Sequence, residues 1–427
     1  MRITLMARTL RVKRHVLKCA VLALLPLCTS VACDGGEIIT NAMPLEVSAF
    51  DTGIALDTSV AANVLTTTLT ICDANSNCQT IDHIQVDTGS AGLRIFKGAL
   101  KTVDLAQIVD NQGKALAVCQ TFAAKGSAWG PVQAASVKLA SEPAILIPVQ
   151  VIDATFGAQP RPSPCDGQVL PAEYPANGIL GIEGIGRGDS GVYFTCQANA
   201  CTEFTPSDPQ RVANPVLALP VDNNGVIINL PAISDNGQAT AYGTLVLGIG
   251  TTWDNDPNTY SANLVVTVKL NTNFPLSATT ITRTSESLGN TGIQTPVFRW
   301  FTQFALDTGS NAYFFTDPNI KRCPQSSGEK ILNVEDPWYC PATPTNFAVA
   351  VGAISGSAWH FQVWIRDKTA LTDKTDSLAF NDLGSDLGIQ DTFIAGLPFF
   401  YGKQVYLGYA KKSSSLGDGP LYGYALH

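Results

Sequence analysis

Histidine is scarce in this chain of 427 residues, which has four copies: His15, His83, His360 and His427. No Cys-x-x-Cys pair occurs either. Because protein zinc sites are built mainly from cysteine and histidine, a zinc site is a poor explanation for the cysteines. A serine hydrolase needs a histidine base, and no supporting motif surrounds these histidines. We therefore do not interpret Gly188-Asp189-Ser190-Gly191 as a nucleophile motif.

Charged residues are also sparse, at 15% of the chain, and the formal net charge is -8. The first 33 residues hold six of the 27 basic residues and no acidic one, so removing them changes the net charge from -8 to -14. Such a surface repels nucleic acid and anionic membranes, so we expect no nucleic-acid partner. Few charges together with frequent turn signals favour a β-rich exported protein.

Long apolar runs are absent after the N-terminus, so we expect no membrane-spanning helix. The N-terminus has a basic region up to Lys18, an apolar core over residues 19–27, and then Ser30-Val31-Ala32-Cys33, which together predict an export signal. The small residues suit ordinary signal peptidase, whereas Cys33 after Ala32 suits lipidation of Cys33 as the first mature residue. We favour lipidation because a short polar tether follows.

The predicted organisation is therefore a signal over residues 1–33, a tether over 34–43, and a mature domain. Apart from the predicted lipid anchor, the mature protein is expected to make no membrane contact. These features predict a lipoprotein at a bacterial cell envelope that faces the periplasm or the exterior.

Eight cysteines remain after the signal, and an even set in an oxidising compartment predicts four disulfides. Sequence alone does not fix which cysteines pair. Closure of short loops favours 72–78, 196–201 and 323–340, which leaves 119–165. The candidates are Cys72, Cys78, Cys119, Cys165, Cys196, Cys201, Cys323 and Cys340.

An Asp-Thr-Gly-Ser sequence occurs twice, each time between two short apolar runs. This pattern predicts a strand, a tight turn carrying an acid, and a second strand. Glycine allows the turn dihedrals, and the hydroxyls can orient a carboxylate. The two copies are Asp87-Thr88-Gly89-Ser90 and Asp307-Thr308-Gly309-Ser310. A third Asp-Thr-Gly, at residues 51–53, is followed by Ile54 in place of serine, and we interpret it as an ordinary turn.

A second apolar element follows each copy at nearly the same distance. Ile179 lies 92 positions after Asp87, and Ile394 lies 87 positions after Asp307. Matched order and spacing predict an internal duplication, with lobes at residues 44–239 and 240–427. The boundary follows a loop-like, proline-rich stretch over residues 187–240. The two elements are Ile179-Leu180-Gly181 and Ile394-Ala395-Gly396.

These motifs resemble those of pepsin-like aspartic peptidases, which carry one such acid turn per β lobe and a later apolar-Gly element behind it. The chain is also similar to a bacterial lipoprotein group of unknown function that carries two DTGS motifs. The resemblance covers most of residues 65–410. It implies an all-β, bilobal, pepsin-like double-β-barrel fold with a cleft between the lobes.

The resemblance further implies the roles of the residues. Asp87 and Asp307 would form a catalytic dyad that hydrolyses a peptide or protein substrate without a cofactor or metal. The two threonines would interlock the turns, the two serines would hold the acids, and the apolar-Gly elements would pack behind them. We expect a monomer.

A hairpin after the first acid turn is the candidate lid, although the tyrosine usual in that family is absent between Cys119 and Leu139. Phe122 or Trp129 would have to replace it. Arg94 also stands where many members of the family have an aromatic residue. The alternative function is therefore a catalytically weak or inactive envelope protein that binds peptide or glycan in the cleft.

Overall fold

β-Strands make up most of the regular structure in the computed structural model of this protein. It describes residues 41–49, 62–122, 126–167, 170, 174–185, 190–257, 266–269, 279–282, 298–301, 303–324, 330–331, 334–335, 337–351, 359–373, 376–386, 388 and 392–427. The export signal, Cys33, and the Asp-Thr-Gly at residues 51–53 lie outside these ranges. All described residues belong to one unit, Ile39–His427.

The all-β prediction is confirmed, because the described residues contain a single α-helix, α1 (Lys368–Thr372), beside a few 3₁₀ turns. The strands are β1 (Ala42–Val47), β2 (Thr66–Cys72), β3 (Cys78–Asp87), β4 (Ala91–Phe96), β5 (Ala106–Gln107), β6 (Ala115–Phe122), β7 (Gly126–Lys138), β8 (Ile145–Ile152), β9 (Gly178–Ile182), β10 (Val192–Gln197), β11 (Ala200–Glu203), β12 (Gly225–Leu230), β13 (Ala241–Leu247), β14 (Val266–Lys269), β15 (Thr279–Thr282), β16 (Phe298–Phe301), β17 (Gln303–Leu306), β18 (Tyr313–Phe314), β19 (Lys330–Ile331), β20 (Val334–Glu335), β21 (Thr345–Val351), β22 (Trp359–Ile365), β23 (Gly384–Ser385), β24 (Thr392–Ala395), β25 (Lys403–Gly408), β26 (Ser413–Ser414), β27 (Gly417–Asp418) and β28 (Leu421–Leu426).

Six strands of the first half close into a barrel in the order β7-β8-β4-β9-β3-β2. The closing pair is β2 with β7, where Ile71 lies opposite Val137. Along β2 the apolar residues Leu69 and Ile71 are buried while Thr68, Thr70 and Cys72 are partly exposed, which is the two-residue period of a strand with one face in a core. Each such buried Leu, Ile or Val contributes about 1.5–3 kcal/mol.

The same sheet continues from the barrel into the second half of the chain through β1, β13, β12, β25, β28 and β14. β12 pairs with β13 on one side and with β25 on the other, so residues from both halves share hydrogen bonds there. The boundary predicted near Ala239 falls in the loop between β12 and β13. The continuous sheet carries the first acid turn, between β3 and β4.

A smaller sheet carries the second acid turn, in the order β17-β24-β18-β23. Aromatic side chains pack beneath it, and Phe393 stacks on both Phe304 and Phe315. All three rings are buried. Their large buried area anchors the strands that lead into and out of the turn.

All four predicted disulfides are present: Cys72–Cys78, Cys119–Cys165, Cys196–Cys201 and Cys323–Cys340. Disulfides form and persist in oxidising compartments, so they indicate an extracellular type of environment. Among the described residues, no helix has the length and apolar character needed to cross a membrane.

Candidate active site

The first acid turn joins β3 to β4 and holds Asp87 in a defined orientation. One carboxylate oxygen, Oδ1, accepts a hydrogen bond of 2.8 Å from the Gly89 backbone N–H. The other, Oδ2, accepts a bond of 2.5 Å from the Ser90 hydroxyl. Asp87 is buried, with 7% of its surface exposed. The glycine N–H and the serine hydroxyl therefore fix the carboxylate from both sides.

The second acid turn, after β17, repeats this arrangement. Asp307 Oδ1 accepts from the Gly309 N–H at 2.8 Å, and Asp307 Oδ2 accepts from the Ser310 hydroxyl at 2.6 Å. The two turns are separated by 220 positions, yet they make the same contacts with the same atoms. The short sequence motif thus determines the local geometry.

Two threonines interlock the turns. The Thr88 hydroxyl donates to the Leu306 carbonyl at 2.9 Å and accepts from the Thr308 N–H at 3.0 Å. The Thr308 hydroxyl likewise donates to the Val86 carbonyl at 2.7 Å and accepts from the Thr88 N–H at 3.2 Å. Both side chains are buried, so the four bonds are shielded from water and tie the two turns together.

This interlock brings the two carboxylates together, as the space around the glycines shows. A Cβ atom added at Gly89 would lie 2.5 Å from the Asp307 carboxylate, and one added at Gly309 would lie 2.5 Å from Asp87 Oδ1 and 3.1 Å from Asp307 Oδ1. Both of these last two distances are measured from the same added Cβ. The separation of Asp87 Oδ1 and Asp307 Oδ1 is therefore at most their sum, about 5.6 Å. Glycine is required at both positions because a side chain would displace the opposite acid.

The apolar-Gly elements lie directly behind the turns. β9 runs between β3 and β4, parallel to the first and antiparallel to the second, with Asp87 opposite Gly181. β24 runs in the same way between β17 and β18. An added Cβ at Gly181 would lie 2.8 Å from the Ser90 carbonyl oxygen, and one at Gly396 would lie 2.5 Å from that of Ser310. The glycines allow the close packing that supports each turn.

Trp129 does not lie at the tip of a lid. Its side chain is fully buried, its indole N–H donates to the Phe156 carbonyl at 2.8 Å, and its ring packs against Phe194. It lies opposite Cys119 in the β6–β7 pair, next to the Cys119–Cys165 disulfide. The prediction for Trp129 fails because this ring cannot cover a substrate without leaving its cluster.

Phe122 is half-buried at the end of β6, with the Arg94 guanidinium 5.9 Å from the centre of its ring. Arg94 itself is fully buried and donates to the Gly92 carbonyl and to Gln120. Phe122 adjoins residues 123–125, which lie outside the described ranges. The lid prediction for Phe122 stays a prediction.

Two residues that contact the site, Gln85 and Tyr174, were not predicted from the sequence. Gln85 is buried two positions before Asp87, and its Nε2 donates to the Gly309 carbonyl at 3.3 Å. The hydroxyl of the buried Tyr174 donates to Gln85 Oε1. A polar residue in an apolar strand, on the same face as the acid, was the available signal for Gln85. No pattern pointed to Tyr174, which lies in an irregular segment.

No cluster of three or more His, Cys, Asp or Glu side chains suited to a metal ion occurs in the described part of the chain. The described groups at the site itself are two carboxylates and their hydrogen-bond donors.

The sequence matches the family described as "Protein of unknown function (DUF3443)" over residues 38–424, so the chain belongs to that family. No curated protein matches the chain.

Proposed function

We propose that this member of the DUF3443 family is an exported aspartic endopeptidase whose catalytic acids are Asp87 and Asp307. The observation that carries the proposal is the meeting of two carboxylates, those of the buried Asp87 and the half-buried Asp307, each held by one glycine N–H and one serine hydroxyl. Each carboxylate faces the other across the two interlocked turns. Two acids with matched donors are suited to sharing a proton and a water molecule.

The proposed reaction uses both acids in turn. The ionised carboxylate removes a proton from a water molecule between them, and the water oxygen attacks the carbonyl carbon of the scissile peptide. The protonated carboxyl gives its proton to the carbonyl oxygen, which forms a neutral tetrahedral diol. The acid that took the proton from water then gives it to the leaving nitrogen as the C–N bond breaks, and one diol hydroxyl returns its proton to the other acid. The products are a new carboxyl group and a new amine, and the dyad again holds one proton.

The resemblance to pepsin-like peptidases extends this proposal to the architecture. The repeated arrangement of β3-β9-β4 and β17-β24-β18 around the two acid turns supports an ancient duplication into two lobes. A peptide substrate would lie in a cleft above the acids. We further propose that Cys33 carries a lipid and holds the enzyme, as a monomer, at a bacterial envelope.

The test is cleavage of an unfolded protein by the purified mature chain between pH 3 and 8. We expect cleavage that is strongest at acid pH, blocked by pepstatin, and lost in Asp87→Asn. Asp110→Asn is the matched control, because Asp110 is also a buried aspartate that accepts backbone N–H bonds in a turn. A mature chain that cleaves no member of a peptide library in this pH range would contradict the proposal.

The second candidate is a cleft that binds peptide or glycan without cleaving it. The observation that favours it is the burial of Trp129, which removes one of the two aromatic lid candidates of the hairpin and leaves only Phe122. Ligand binding that survives in Asp87→Asn, together with no cleavage by the wild type, would support this candidate over the peptidase.

A further inference from the structure

A polar contact behind the dyad joins the two halves of the chain. Gln85 lies on β3 with 2% of its surface exposed, and its amide N–H donates to the carbonyl oxygen of Gly309 in the other half at 3.3 Å. Gly309 also presses against Asp87, since an added Cβ there would lie 2.5 Å from Asp87 Oδ1. The position of the Gly309 backbone therefore influences the separation of the two acids.

A primary amide can present either its N–H or its oxygen, so Gln85 needs a partner that fixes its orientation. Tyr174 supplies it, because its hydroxyl donates to Gln85 Oε1 and thereby leaves Nε2 to face Gly309. With an acceptor on one side and a donor on the other, the amide has one satisfied orientation. Reversing it would place two acceptors against each other at the Gly309 carbonyl.

Tyr174 is in turn held by apolar packing. Its ring lies 5.7 Å from that of Phe96, and it belongs to a buried cluster with Ala128 of the lid hairpin and Ile179 of β9. Because these neighbours come from rigid strands, the hydroxyl has a fixed position. Contacts thus run without a break from the apolar cluster through Tyr174 and Gln85 to the second acid turn.

We propose that Tyr174 and Gln85 are positioning residues that set the second acid turn against the first. The inference rests on the proposed peptidase function for its effect on rate, and on the geometry alone for its effect on the acids. Neither side chain needs to touch substrate. Their loss would shift Gly309, alter the spacing of the carboxylates, and slow the chemical step more than it weakens substrate binding.

The first test is Tyr174→Phe, which removes one oxygen atom and keeps the ring. We expect kcat to fall about tenfold while KM changes by less than about threefold. The matched control is Tyr193→Phe. Tyr193 is also buried, but its hydroxyl accepts from the Val212 N–H, which belongs to the same half of the chain and not to an acid turn. Tyr193→Phe is expected to keep the wild-type kcat.

The second test is Gln85→Glu, which distinguishes positioning from mere stability. A protonated carboxyl can still accept from Tyr174 and donate to Gly309, but an ionised one cannot donate. We therefore expect kcat to be near that of the wild type at low pH. As the introduced acid ionises, we expect an additional fall in kcat that the pH profile of the wild type does not show. A Gln85→Glu variant with the wild-type pH profile would overturn the proposal.

A readout independent of activity is the NMR chemical shift of ¹³C-labelled aspartate carboxyls, with the two acids assigned by loss of their signals in Asp87→Asn and Asp307→Asn. We expect Tyr174→Phe to move both signals at a fixed pH, and Tyr193→Phe to leave them unchanged. If the wild type cleaves nothing, the peptidase proposal fails and this comparison still decides the inference. Unchanged signals in folded Tyr174→Phe would overturn it.

Discussion

Replacing Thr308 with valine tests the interlock most simply, because valine has nearly the same shape and lacks the hydroxyl. In the wild type, this hydroxyl donates to the Val86 carbonyl at 2.7 Å and accepts from the Thr88 N–H at 3.2 Å. Thr308 is fully buried, so no water can take its place. The variant therefore leaves two backbone groups of the first half without this partner.

The expected cost follows from the two lost bonds. Leaving a buried donor or acceptor unsatisfied costs about 1–3 kcal/mol, so the two groups left by Thr308→Val should lower the free energy of unfolding by about 2–6 kcal/mol. Thr308→Ser keeps the hydroxyl and loses one methyl group, which costs about 1 kcal/mol. The difference between these two variants isolates the hydrogen bonds from the packing.

The assay is urea denaturation followed by tryptophan fluorescence, with the disulfides intact and the slope of the transition compared between variants. Thr70→Val is the control, because Thr70 makes an exposed hydroxyl contact with Thr80 at 3.2 Å and its loss should cost less than about 0.5 kcal/mol. Equal stability of Thr308→Val and Thr308→Ser would refute the argument that the threonine hydroxyls tie the halves together.

Three further predictions concern the acids, the pH dependence and the joining of the halves. Gly89→Ala places a Cβ 2.5 Å from the Asp307 carboxylate, so we expect kcat/KM to fall by about a hundredfold. Gly98→Ala is the control, because Gly98 has open space around it and the variant should keep the wild-type kcat/KM. Equal values of kcat/KM for the two variants would contradict the geometry. Burial, and then the nearby Asp222, raise the pKa of Glu142 from 4.5 to about 7. Because the folded state holds this proton more tightly, the associated stability is complete below pH 4.5 and is lost as pH rises through 7. We therefore expect Glu142→Gln to gain stability relative to wild type between pH 4 and pH 8, by about 1 kcal/mol once solvent screening is allowed for, and parallel curves from denaturation at each pH would refute this. Asn63 is fully buried and makes hydrogen bonds with Asn311, Phe380 and Tyr401 of the second half, so Asn63→Ala should lower the free energy of unfolding by about 3 kcal/mol or more. Asn177→Ala, which removes only exposed contacts, should lower it by less than about 1 kcal/mol. Equal losses in urea denaturation would contradict the role of Asn63 in joining the halves.

The site was largely predictable because its geometry is local. A turn of four residues contains the acid, the glycine N–H and the serine hydroxyl, so the contacts of Asp87 and of Asp307 follow from the motif itself. The pairing of the two turns followed from the repeat. The partner of each threonine could not be derived from spacing, because it depends on how strands 220 positions apart come together.

The errors and omissions have physical reasons. Trp129 looked like an exposed tip because glycine and proline surround it, but it lies opposite Cys119, and the disulfide cluster buries it. Closure of the barrel by β2 and β7 depends on a long-range register that no local signal determines. Gln85 carried a readable signal as a polar residue beside the acid. Tyr174 carried none, since its contact arises only from the folded chain.

The most direct test of the central claim, that Asp87 and Asp307 act as one unit, is the comparison of single and double variants in peptide cleavage. We expect Asp87→Asn and Asp307→Asn each to reduce kcat/KM by more than about a thousandfold, and the double variant to lose no more than either single one. Asp317→Asn, a buried turn aspartate of the second half, should keep the activity. Losses that multiply in the double variant, or full activity in either single variant, would contradict the account.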